Sequence, residues 1–176
     1  MTAPDLISCD GAAVKAELLR SFSELVDPLL DAARTEDLTP RDAEGRIWTL
    51  LIALGAMLLT AVFAALCRRA TEHAVATAGL DMIDVRLRMD VDYWAKLQTT
   101  CGLVVFPWFG FRGPDGRMVV AARALFPLYR EMRVSEMLLE WESALAADHP
   151  FRKAATALQF FTHGAVAGHE LFSPLL

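Results

Sequence analysis

The sequence predicts an α+β fold. Three observations carry this. Apolar residues recur at helical spacing over most of the first 80 residues, a strict period-two alternation begins at Met82, and helical spacing returns after Ser135. The expected order is an N-terminal helical hairpin with one long apolar helix (1–80), a small antiparallel β-meander (81–125) and a helix-turn-helix-like C-terminal pair (126–176), packed as one unit. With 176 residues, 55% of them hydrophobic, the chain can bury a core without disulfide or metal. The same composition excludes intrinsic disorder.

The first helix is expected over about 12–33, where Val14, Leu18, Phe22, Leu25 and Leu29 step by three and four. Pro28 should kink or stop it, because proline removes a helical N–H. Thr39-Pro40 opens the second helix: threonine caps, and proline fits the first helical position. Asp42 and Glu44 add negative charge to the first turn, where the helix dipole favours it. The pattern runs to Thr77 and stops at Gly79, with a break possible near Gly45 or Gly55.

From Met82, the residues Ile83, Val85, Leu87, Met89, Val91 and Tyr93 alternate with Asp84, Arg86, Arg88, Asp90 and Asp92. That is a half-buried strand with one wet face. Cys101–Phe111 reads as a second strand, placed on an edge or at a bulge by Pro107. Gly113-Pro114-Asp115-Gly116 is a turn, and Met118–Ala122 the returning strand. Ser135 should cap a helix to about Ala147. Asp148-His149-Pro150 starts another, ended by Gly164.

Charge and motifs narrow the function. Seventeen basic against 22 acidic residues exclude a globally basic nucleic-acid binder. Three scattered cysteines, Cys9, Cys67 and Cys101, point away from a disulfide framework and towards a reducing cytoplasm. No phosphate loop or catalytic motif is present, so no enzyme activity and no cofactor are expected. His73, His149, His163 and His169 match no metal-binding spacing, and Asp90 and Asp92 share their strand face with Arg86 and Arg88. The informative feature is local: Arg112, Arg117, Arg123, Arg130 and Arg133 stand against Asp115 and Glu131 alone, and Arg152-Lys153 opens the last helix. Guanidinium groups in such a patch can hold phosphates bidentately.

Residues 47–67, IWTLLIALGAMLLTAVFAALC, carry no charge and are long enough to span a bilayer. Thr49, Gly55, Thr60 and several alanines lower the run's hydrophobicity, and arginines flank both ends without an inside bias. A helix apolar all round must be covered, so burial in protein, by self-association or against the first helix, is expected ahead of membrane spanning.

The stretch 122–166, ARALFPLYREMRVSEMLLEWESALAADHPFRKAATALQFFTHGAV, resembles the N-terminal half of certain DDE-type transposases of bacterial insertion sequences. LLIALGAMLL at 50–59 is similar to the ALG-like centre of that group's opening helical region, and Leu125–Leu128 to its LFPL segment. The resemblance covers roughly residues 44–166. It implies a non-catalytic DNA-binding or assembly region, with the seven basic residues named above as phosphate contacts and no metal, since Cys101 stands without the zinc-ribbon pairs. The implied partners are duplex DNA, bound weakly and with strong salt dependence, and further copies of the chain through residues 47–67. The alternatives are a single-span membrane protein with a cytoplasmic α+β domain, and a helix-mediated homo-oligomer without a nucleic-acid role.

Overall fold

The computed structural model describes residues 11–35, 38–80, 94–126, 134–162 and 164–166. Among the described residues it is an α+β structure of four helices and two small antiparallel sheets. Helix α1 is Gly11–Thr35 and α2 is Pro40–Thr77. Pro28 lies inside α1 and does not end it. Leu29, Leu30 and Ala32 continue the helical pattern beyond the lost hydrogen bond, so propensity on both sides outweighs one missing N–H.

Thr39 caps α2 as expected. Its hydroxyl accepts from the Asp42 N–H at 3.2 Å, with Pro40 in the first position. The helix runs unbroken through Gly45 and Gly55. A Cβ at Gly55 would stand 2.6 Å from Cys101 Sγ, so this glycine lets the β1–β2 turn approach the helix. At the other end Gly79, at φ 71°, and Leu80 donate to the carbonyls of Ala76 and Val75. This is the paired bonding that satisfies a helix C-terminus when a left-handed residue follows.

Strands β1 (Trp94–Thr99) and β2 (Gly102–Pro107) form one hairpin, registered from Trp94 opposite Pro107 to Thr99 opposite Gly102. Ala95, Leu97 and Thr99 are buried while Lys96 is exposed, so odd positions face inward. The strand expected over 82–93 lies outside the described residues. The expected continuous strand from Cys101 to Phe111 is two elements instead. Pro107 ends β2, and β3 (Phe111–Arg112) pairs separately with β4 (Met118–Val119). Proline cannot donate to the ladder, which explains the break. The returning strand is correspondingly short: Ala121–Ala124 is a 3-10 turn, not strand. The expected turn closes β3–β4, with Gly116 at φ 77° and the Gly113 N–H bonded to the Arg117 carbonyl at 2.8 Å.

Helices α3 (Glu136–Asp148) and α4 (Phe151–Phe161) pack on one another. Ser135 caps α3, accepting from the Leu138 N–H at 3.2 Å. The Ser135 N–H donates to the Gln98 carbonyl, and the Gln98 amide donates to the Ala165 carbonyl at 3.1 Å. Gln98 thus pins both ends of the C-terminal pair to β1.

Two apolar clusters result. The larger joins Phe63 and Cys67 of α2 to Leu97, Val104, Phe106, Trp108 and Phe126. The Phe63, Phe106 and Phe126 rings stand 5.0–5.3 Å apart, in edge-on and tilted arrangements favoured by aromatic quadrupoles. The Thr71 hydroxyl ties α2 to the segment after β2 through the Phe109 carbonyl, at 3.4 Å. The smaller cluster holds Leu138, Ala154, Leu158 and Val166.

Candidate assembly surface

Helix α1 lies against α2 in an unexpected orientation. Its buried residues are Glu17, Ser21 and Ala32. Its large apolar side chains Leu19, Phe22, Leu25 and Leu30 are exposed. Glu17 is kept charged-paired in this position by Arg20, one turn on, at 3.0 Å. The apolar stripe legible in the sequence therefore lies beside the line of contact with α2, not on it.

Helix α2 behaves in the same way on one side. Ala56, Leu59, Phe63 and Cys67 turn towards the β1–β2 hairpin. The other side carries Ile47, Leu51, Leu58, Val62 and Leu66, with Leu51 and Leu58 about half exposed (51% and 52%). Over its most apolar eighteen-residue stretch α2 has a mean hydropathy of 2.6, and only 11% of that stretch is buried within the chain. It is long and apolar enough to cross a membrane. Where the two apolar faces meet, an open groove of about 490 Å³ runs between the helices. Val14 and Leu18 line one wall, Leu58 and Val62 the other, and Arg68 and Arg69 close one end. Arg68 is held by Glu72 at 2.8 Å.

This corrects the simplest form of the burial expectation. The first helix does not cover the apolar run of the second, because it presents polar and small residues to it. Among the described residues nothing covers Ile47, Leu51, Leu58, Val62 and Leu66.

The basic residues fall into separate groups. Arg112 and Arg117 flank the β3–β4 turn, and Arg123 sits in the 3-10 turn after it; all three are exposed. Arg112 donates to the Gly116 carbonyl at 3.4 Å, and Arg117 stands 3.7 Å from Asp115. Arg152 and Lys153 are exposed in the first turn of α4, beside the exposed rings of Phe160 and Phe161. The hairpin follows the larger cluster and α4 belongs to the smaller, so these groups sit on different packing units. Arg130 and Arg133 lie outside the described residues.

Candidate reactive groups are few. Burial pushes the Cys67 thiol up to about 12, which removes it as a nucleophile at neutral pH. Among the described residues no group of three His, Cys, Asp or Glu side chains could hold a metal ion. His73 and His149 are exposed, and His163 and His169 lie outside the described residues. Sequence reasoning missed Glu142. It is buried in α3 with neither carboxylate oxygen hydrogen-bonded, and burial raises its pKa to about 7. Its place one turn after Leu138 and one before Leu145–Ala146, on the apolar face of α3, was the available signal. No family model, curated protein or solved structure matches this chain.

Proposed function

We propose that the chain is an assembly module, a helix-mediated homo-oligomer whose α1–α2 hairpin associates with further copies. The observation that carries this reading is the uncovered apolar face of α2, continuous with that of α1 across the groove. A contiguous apolar surface of this kind is rarely left to water. A bilayer is the rival cover, and the position of the β1–β2 hairpin argues against it. The hairpin packs on α2 between Ala56 and Cys67, within the run that would lie in hydrocarbon. Among the described residues this sheet has two strands and, besides the Gln98–Val134 bridge, no further ladder on its edges, and backbone groups left without partners are costly at that depth. An aqueous, reducing compartment, the cytoplasm, fits this reading together with the free thiols Cys67 and Cys101. The reading assigns the chain no catalytic step.

Sedimentation in detergent-free buffer tests it. The wild type should sediment as a dimer or larger at micromolar concentration. Leu58→Glu should weaken association by roughly tenfold or more, because it buries an unpaired charge at the interface, while leaving the circular dichroism unchanged. A soluble wild type that stays monomeric, or one that partitions wholly into liposomes, removes the proposal.

A second reading, duplex-DNA contact by a transposase-like assembly region, is favoured by the exposure of Arg112, Arg117 and Arg123 within one short segment. Three phosphate contacts give a log–log salt slope of roughly −3. Changing Arg112 and Arg123 together to Ala should flatten it by about two and lower affinity equally for all sequences. Absence of any gel shift at low salt excludes this reading and leaves the first intact.

A further inference from the structure

Independently of how α2 is covered, we infer that the outward face of α4 is a docking surface for an anionic phospholipid membrane, with Phe160 and Phe161 entering the acyl boundary and Arg152 and Lys153 meeting the headgroup phosphates.

Helix α4 has two unlike sides. Ala154, Leu158 and Thr162 are buried, the first two in one cluster with Leu138 of α3. The other side carries Arg152, Lys153, Thr156, Ala157, Phe160 and Phe161, whose alternating steps of one and three keep them on one helix face. Both cations are exposed, and the two rings are 77% and 54% exposed. The Thr156 hydroxyl donates to the Arg152 carbonyl at 2.9 Å. An open concavity of about 510 Å³ lies between the cations at one end and the rings at the other.

Neither pair contributes to holding the fold. The rings lie outside the cluster that packs α4 on α3, and adjacent apolar side chains left in water mark a surface that meets a partner. Cations in a first turn oppose the helix dipole, and no acidic residue stands in that turn to offset them. Among the described residues neither Arg152 nor Lys153 is ion-paired. No acidic residue occurs from His149 to Phe161, although the chain as a whole carries −5. The face therefore complements negative charge with an apolar phase beside it, which is the chemistry of an anionic lipid surface.

The dimensions agree. Eight residues separate the cations from the rings, or about 12 Å along the axis. The headgroup layer on each side of a bilayer is about 5–7 Å deep. An oblique α4, rings foremost, matches one to the other while α3 stays behind the face. Other partners fit less well. The rings stand 5.9 Å apart at 74° to one another, edge to face, so successive bases of a single strand have no common platform. Six residues on one short helix fall well below the roughly 20–30 a side of a stable protein interface.

Vesicle flotation of the full chain in detergent-free buffer tests this. Phosphatidylcholine vesicles containing about one-third phosphatidylserine should carry part of the wild type at low salt and release it at high salt. Vesicles of phosphatidylcholine alone should carry far less. Arg152→Ala/Lys153→Ala should lower partitioning onto the anionic vesicles roughly thirtyfold, at the usual strength of a basic residue near such a surface. Phe160→Ser/Phe161→Ser should lower it roughly tenfold or more. Arg34→Ala/Arg41→Ala removes equal charge from exposed positions elsewhere and should change it by less than about twofold. Anionic vesicles that carry no wild type at low salt, or carry both α4 variants as well as the wild type, overturn the inference. So does an oligothymidylate that binds through the same residues while the vesicles do not. Sedimentation without vesicles reads assembly separately. A monomer that still binds anionic vesicles through α4 keeps this inference and removes the assembly reading, whereas a wild type that floats wholly with neutral vesicles, whatever the α4 variant, overturns both.

Discussion

Phe106→Ala should destabilise the protein by about 3–5 kcal/mol, the range for deleting a fully buried aromatic ring from a core that cannot collapse around the loss. Phe106 has no exposed surface and touches the rings of both Phe63 and Phe126. It is the point at which α2, β2 and the segment after the 3-10 turn meet. Phe106→Leu keeps most of the volume and should cost less than about 1.5 kcal/mol. Phe160→Ala, at a ring 77% exposed, should fall within about 0.5 kcal/mol of the wild type. Urea denaturation of the three variants, each at the same protein concentration because assembly contributes to stability, gives the comparison. A Phe106→Ala midpoint close to that of Phe160→Ala would show that the aromatic cluster is not the core.

The second large effect belongs to Glu142, and it is a dependence on pH. The side chain is 1% exposed and its carboxylate has no partner. Burial raises its pKa from 4.5 to about 7. The folded state therefore holds a proton that the unfolded state has already released over this interval. Its contribution to stability is fully present below the unfolded value near 4.5, declines as pH rises towards 7, and falls no further above that. The shift corresponds to about 3 kcal/mol of stability lost between acid and neutral pH. Glu142→Gln removes the titration, so the stability difference between wild type and variant should widen from pH 4 to pH 8 in the variant's favour. Glu142→Leu, which replaces a buried polar group by an apolar one of similar size, should be the more stable variant at pH 8. A difference that stays constant across the range would show that Glu142 reaches water or a counter-charge.

The elements with local causes were legible in the sequence. Thr39-Pro40 and Ser135 start helices because a hydroxyl there accepts an otherwise unpaired N–H. Gly79, Gly116 and Gly164 mark the places where the backbone takes positive φ. The Gly113–Gly116 turn and the apolar strand from Cys101 were equally local, although Pro107 divided the strand into two pairings that its composition alone did not separate. The strand Trp94–Thr99 was not read from the sequence; its burial of Ala95, Leu97 and Thr99 follows from the alternation of any extended backbone, while the alternation read over 82–93 lies outside the described residues.

Rotation and covering were not local, and the tertiary structure alone decided them. A stripe on α1 fixes which residues are apolar but not which line of the helix touches its neighbour. That choice depended on close approach of the backbones. Ser21 and Ala32 are small enough to lie against α2, Glu17 is held there by Arg20, and Phe22 and Leu25 were left outside. In the same way the sequence shows that no charge interrupts residues 47–67. Only the packed structure showed that the β1–β2 hairpin covers one side, through Ala56, Leu59 and Phe63, and leaves Leu51, Leu58 and Val62 in the open. Hydrophobic burial is non-directional, so a sequence states how much apolar surface must leave water, and the arrangement of neighbours determines which surface does so within one chain.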